Sequence, residues 1–220
     1  MSGGRILASG GSTDLRRFLL GLASSRRPRV CYLPTASADD PAHIVRFYEW
    51  FMPLECDPYH VTLFGTPDHP AERVAEADVV VVAGGNTANL LAIWRVHGVD
   101  TALRESWERG AVLAGASAGA NCWFEGSVTD SFGLGLAPLA DGLGLLAGSF
   151  CPHYDTEELR RPVYLDLVGS GALPPGLACD DEAAALFEGT DLVEIVAARE
   201  DARAFRVTPD DEEPLPVRVV

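Results

Sequence analysis

The sequence predicts an α/β protein, a single domain built on a doubly wound, mostly parallel sheet flanked by helices. Through the first 116 residues, short apolar runs alternate with amphipathic segments at close spacing. One run, Ala77 to Ala83, holds four consecutive valines and is apolar on both faces, as an interior parallel strand must be. The length, 220 residues with 47% hydrophobic and 22% charged, suits one three-layer core without internal repeat or linker, so residues 1–220 are expected to form one domain.

Arg5 to Ser9 is the first strand, closed by Gly10-Gly11, and Ser12 or Thr13 is placed to cap the next helix. Leu15, Phe18, Leu19 and Leu22 share one face of that helix. Arg29 to Leu33 is the second strand, stopped by Pro34. Asp39-Asp40-Pro41 then opens a helix through Phe51, with proline in its first turn. Tyr59 to Phe64 reads as the third strand and Ala77 to Ala83 as the fourth. Helices are expected from Thr87 to about Val96 and from Thr101 to Arg109, before the strand Ala111 to Ala114.

Beyond residue 117 the pattern changes. Phe132 to Gly148 reads as loop or short hairpin, Leu145 to Cys151 as a strand, and Glu157 to Val168 as a helix. Short strands follow at Leu177 to Asp180, Ala184 to Phe187, Leu192 to Ala197 and Ala204 to Val207. Asp210 to Glu213 reads as a solvated turn.

Composition excludes several classes. The 17 basic residues are all arginine, which rules out a Schiff-base lysine, a Ser–Lys dyad and a P-loop lysine. A net charge of −15 argues against nucleic acid as a partner. No apolar stretch approaches the roughly 20 residues of a membrane span, and the N-terminus lacks a signal-peptide apolar region. A cytoplasmic location is expected. Five scattered cysteines without C-x-x-C spacing suit a reducing compartment, not a disulfide frame or zinc site.

The chemistry centres on Gly115-x-Ser117-x-Gly119. A serine on a sharp strand-to-helix turn needs neighbours two residues away with almost no side chain, so that its Oγ stands clear at the sheet end. A serine nucleophile also needs a base. His43, His60, His69 and His97 fall in helices, mid-strand or surface loops, whereas His153 follows an apolar strand where such sheets present their active-site loops. The acid that orients this base is Asp181, beside Glu182 after a late strand, or Asp130 in the loop after the nucleophile helix. Gly84-Gly85-Asn86-Thr87 also ends a strand. There the N–H of Gly85 can pair with that of Ala118 as an oxyanion hole.

Gly84-Gly85-Asn86-Thr87, Gly115 to Asn121 and Pro152-His153-Tyr154-Asp155, in that order, resemble the peptidase E (aspartyl dipeptidase) family of serine peptidases, with cyanophycinase a more distant relative. The resemblance implies a class I glutamine amidotransferase-like fold, Ser117 as nucleophile, His153 as base, and Asp181 or, less directly, Asp130 as third member. It also implies a short peptide substrate, met by Asn86 and by Arg160 or Arg161, which follow His153. The chain is shorter than aspartyl dipeptidase in that segment, so release of N-terminal aspartate stands beside C-terminal trimming as the expected specificity. An esterase or amidase on the same scaffold and a non-catalytic binding protein are the other readings. No metal or organic cofactor is implied, and a homodimer is compatible with the sequence.

Overall fold

The computed structural model describes residues 4–11 and 15–220, so the expected cap at Ser12 or Thr13 lies outside the described residues. The first half alternates as the hydrophobic pattern dictates. Its elements are β1 (Arg5–Ser9), α1 (Arg16–Gly21), β2 (Arg29–Leu33), α2 (Pro41–Phe51), β3 (Asp57–His60), α3 (Pro70–Ala75), β4 (Val79–Val82), α4 (Thr87–His97), α5 (Val99–Glu108) and β5 (Val112–Ala116). The second half holds α6 (Ala118–Asn121), β6 (Phe124–Thr129), β7 (Ala137–Leu139), β8 (Leu146–Cys151), α7 (Arg160–Gly169) and β9 (Gly176–Cys179). The strands β10 (Ala183–Glu188), β11 (Asp191–Ala197), β12 (Ala204–Val207), β13 (Glu212–Pro214) and β14 (Val217–Val219) complete it.

Among the described residues the strands form two sheets. The larger has the order β14-β11-β10-β1-β5-β4-β2-β3 and the smaller β13-β12-β9-β8-β6-β7. Strands β1, β5, β4, β2 and β3 run parallel; beyond β1, β10 is antiparallel to it and β11 is antiparallel to β10. Strands β6, β8 and β9 are the parallel part of the smaller sheet. The protein is thus α/β with mostly parallel sheets flanked by helices. A buried apolar core runs without a break from Ile6, Leu113 and Val80 in the larger sheet to Phe124, Phe150 and Leu177 in the smaller. Among the described residues no helix is long and apolar enough to cross a membrane.

Register decides where the chemistry falls. Ser9 pairs with Ala116, and Val82 with Gly115, so β1, β5 and β4 end at one level. In the smaller sheet Cys151 pairs with Ala178, which brings the segments after β8 and β9 side by side.

The structure differs from the sequence expectations in several places, including a short helix α3 and a strand β6 that the local pattern does not mark. Strand β3 ends at His60, because the Asp39 carboxylate accepts from the N–H groups of Leu63 and Phe64 and draws that stretch off the sheet edge. The nucleophile helix is a single turn, Ala118–Asn121. The buried residues Cys122, Trp123 and Phe124 then lead into β6, so Asp130 follows a strand and not a helix. The expected turn at Asp210 to Glu213 contributes β13, antiparallel to β12, and Glu212 accepts from Tyr154 Oη and Arg161. Strand β14 was also absent from the reading; it pairs parallel with β11 through only three residues.

Candidate active site

Ser117 stands between β5 and α6 with φ 56° and ψ −117°, a backbone conformation that non-glycine residues rarely adopt. Such strain persists only where the surroundings enforce it. Here they do. A Cβ on Gly115 would lie 2.1 Å from the Gly119 carbonyl oxygen, and one on Gly119 would lie 2.5 Å from that of Val82. Both glycines are therefore needed for strand and helix to approach. The Ser117 N–H donates to the Ser9 carbonyl at 3.2 Å, tying the elbow to β1. The N–H of Ala118, at the first helical position, has no backbone acceptor among the described residues.

The turn after β4 reaches the same point. A Cβ on Gly84 would sit 3.6 Å from that of Ser117. Gly85 has φ +139°, and a Cβ there would lie 2.2 Å from the Ala36 carbonyl oxygen, so only glycine passes. Asn86 is occupied by capping. Its Oδ1 accepts from the Asn89 N–H at 2.8 Å and its Nδ2 donates to the Ser131 carbonyl at 3.1 Å. Ser131 Oγ in turn accepts from the N–H groups of Thr87 and Ala88.

His153 follows β8, also at positive φ (56°), and its N–H donates to the Gly10 carbonyl at 3.0 Å. Its Nδ1 lies 2.7 Å from Asp181 Oδ1. A carboxylate there accepts from Nδ1–H and leaves Nε2 as the basic nitrogen of the neutral ring. Asp181 is itself fixed. Its other oxygen accepts from Thr156 Oγ1 at 3.1 Å, its N–H donates to Asp155 Oδ1 at 2.8 Å, and its carbonyl accepts from Arg199 at 3.1 Å. Asp155 pairs with Arg199 at 2.7 Å. Burial pushes the Asp155 carboxyl up, but hydrogen bonds from Asp181 N–H and Arg199 outweigh it and hold the group below its ordinary value. Gly11 is packed against the pair, since a Cβ there would lie 1.7 Å from Asp181 Oδ1 and 3.0 Å from His153 Nδ1.

The other acidic candidates lie apart. Asp130 is exposed, and its backbone carbonyl accepts from Gly133; no hydrogen bond among the described residues links it to His153. Glu182 turns away at φ 67°, its carbonyl accepting from Ala198 N–H. Neighbouring Asp180 is buried, and its carboxylate accepts from Arg203 N–H at 2.9 Å. Burial pushes that carboxyl up to about 6.

Ser117 and His153 border one cavity of about 410 Å³, within the range of small-molecule pockets. Arg160 and Arg161 do not line it. Arg160 is buried, its guanidinium paired with Glu157 at 2.6 Å and donating to the Val128 carbonyl at 3.1 Å. Arg161 pairs with Glu212 and lies over the rings of Tyr154 and Phe205. The cationic residues that do line the cavity are Arg16 and Arg46, with His43 and Trp50 beside them. Sequence reasoning set His43 aside and did not single out Arg16, Arg46 or Trp50, although His43, Arg46 and Trp50, spaced three and four apart, mark one face of α2. Among the described residues no group of three or more His, Cys, Asp and Glu side chains is placed to hold a metal ion.

Comparison with known proteins places the chain among peptidases. The model of peptidase family S51 matches residues 1–195. The chain is 45% identical over 225 residues to the uncharacterized peptidase YgaJ of Bacillus subtilis, covering 99% of this chain and 96% of that protein. It is 28% identical over 148 residues to peptidase E of Shewanella denitrificans, covering 64% of this chain and 63% of that one. Among solved structures, a peptidase from an acI-B1 actinobacterium superposes with a TM-score of 0.75 at 19% identity, covering 98% of this chain and 95% of that one.

Proposed function

With this chain a member of peptidase family S51 and a serine peptidase, we propose that it hydrolyses short peptides through Ser117, His153 and Asp181. Ser117 Oγ attacks the scissile carbonyl carbon while His153 Nε2 takes its proton. The C–N bond then breaks, and the imidazolium returns that proton to the leaving amine. Water, deprotonated by the same histidine, cleaves the acyl-enzyme and restores the serine. Asp181 fixes the imidazole tautomer and stabilises its charged form. The N–H groups of Gly85 and Ala118 receive the oxyanion.

The observation that carries this reading is the 2.7 Å contact between His153 Nδ1 and Asp181 Oδ1 at the edge of the cavity that Ser117 borders. The strained backbone of Ser117 supports it, because such strain gathers at functional positions. A fluorophosphonate probe tests it. Wild type should be labelled and Ser117→Ala should not. Equal labelling of the two would overturn the assignment.

A further inference from the structure

The cavity beside Ser117 is built unlike a site for a charged side chain. Its depth is formed by buried, mostly apolar residues, among them Leu7, Leu15, Leu19, Phe47 and Phe51, with Tyr32. Its lining from β4 and β5 (Val81, Val82, Ala114) adds only carbon side chains. Among the described residues Tyr32 Oη is the hydroxyl that could answer a carboxylate at that depth, too little to replace the water it would lose. A bulky hydrocarbon side chain would instead exchange water for contact on all sides.

The mouth is different. Arg46 is exposed and Trp50 is 45% exposed, and the guanidinium groups of Arg16 and Arg46 lie 5.2 Å and 6.0 Å from the Trp50 ring centroid. Stacking on the Trp50 indole holds the Arg46 guanidinium in place while leaving its N–H edge able to donate. In a chain of net charge −15 this concentrates positive potential at the entrance of the cavity.

We propose that the cavity is the specificity pocket for a large apolar side chain, leucine, methionine or phenylalanine, on a residue flanking the cleaved bond. Arg46 at the mouth receives the free carboxylate of the same short peptide. The substrates are thus short apolar peptides with a free C-terminus, not peptides that begin with aspartate. This inference rests on Ser117 being the nucleophile.

The test measures kcat/KM on a dipeptide panel that places Ala, Leu, Phe or Asp on either side of the bond, each as free acid and as amide. Leu or Phe at one position should exceed Ala by roughly 10- to 100-fold, since a single methylene in an apolar pocket is worth about tenfold or more. Asp at that position should fall below Ala. Arg46→Ala should lower kcat/KM about fivefold on free acids and leave amides within twofold. Val81→Phe fills the cavity and should reverse the preference towards Ala, with its activity on Ala-Ala showing that it folds. No apolar preference at either position, or an Asp preference, overturns the proposal while fluorophosphonate labelling of Ser117 upholds the catalytic reading. Should labelling fail, calorimetric binding of Phe-Leu and Asp-Leu to Ser117→Ala still decides the pocket. Equal affinities would sink it.

Discussion

His153 Nδ1 lies 2.7 Å from Asp181 Oδ1, and the two residues follow β8 and β9, which are adjacent and parallel. The contact is therefore built by strand register and does not depend on a flexible loop finding its partner. Asp181→Asn should lower kcat/KM on the order of ten-thousandfold, as expected when the imidazole is held in the wrong tautomer. Asp130→Asn should stay within twofold of wild type. Steady-state rates on one fluorogenic dipeptide compare the two, and a reversed ranking would make Asp130 the partner.

Ser117→Ala and His153→Ala should each remove activity by several orders of magnitude, and the double variant should be hardly worse than either, because such groups act as a unit. Stability separates the substitutions at residue 117. Alanine keeps a side chain at φ 56°, whereas glycine adopts that angle without a Cβ penalty. Ser117→Gly should therefore be inactive yet about 1 kcal/mol more stable than Ser117→Ala, read as a higher urea midpoint at unchanged m. Identical midpoints would show that the elbow stores no strain.

Gly11→Ala tests how tightly the pair is packed. Its Cβ would be 1.7 Å from Asp181 Oδ1, so the carboxylate must move. A displacement near 1 Å in such a group costs on the order of a hundredfold in rate. Turnover should fall that far while the far-ultraviolet circular dichroism stays native. Full activity in this variant would mean that Asp181 does not need its position.

Asp180 gives the protein a pH signature. Its carboxyl is pushed from an ordinary 3.8 up to about 6, chiefly by burial and further by Asp155, against the Arg203 N–H, Arg199 and Arg203. The folded state then binds the proton more tightly than the unfolded one. This stabilising contribution is complete below about pH 4 and is lost as pH rises through about 6. Asp180→Asn retains an acceptor for Arg203 N–H. It should raise stability at pH 7 and flatten the slope between pH 4 and 6. Denaturation midpoints across that range would show an unchanged slope if Asp180 were not responsible.

Much of this architecture can be read from local pattern. Arg5–Ser9, Arg29–Leu33 and Ala204–Val207 are strands at the residues their apolar runs mark, and Asp40 caps α2 by accepting from Ala42 N–H. The elbow is legible because Gly115 answers to Gly119 four residues on, although Gly119 itself answers to Val82 on a neighbouring strand. What escaped depends on distant partners. Strand β14 exists because β11 offers an edge, and Glu212 matters because Tyr154 and Arg161 reach it. Arg160 and Arg161 looked suited to the substrate by closeness to His153 in the chain. However, α7 turns the first inwards to Glu157 and Val128 and the second towards Glu212. Arg46, over a hundred residues away in sequence, comes to the cavity because β2 and β4 are neighbours and α2 follows β2.

The division of the strands into two sheets has a mechanical consequence. His153 follows β8 of the smaller sheet and Ser117 follows β5 of the larger one, Asp181 lies in the link from β9 to β10 that joins the two, and the His153 N–H to Gly10 carbonyl bond is one further tie between them. A slip of one sheet over the other would change the gap between histidine and serine and would pull on Asp181 through Arg199, which follows β11. The site works like a clutch, with power transmitted only when its two plates are seated. Heat or denaturant that loosens the seating should silence the enzyme while both sheets keep their hydrogen bonds, so inactivation should run ahead of unfolding.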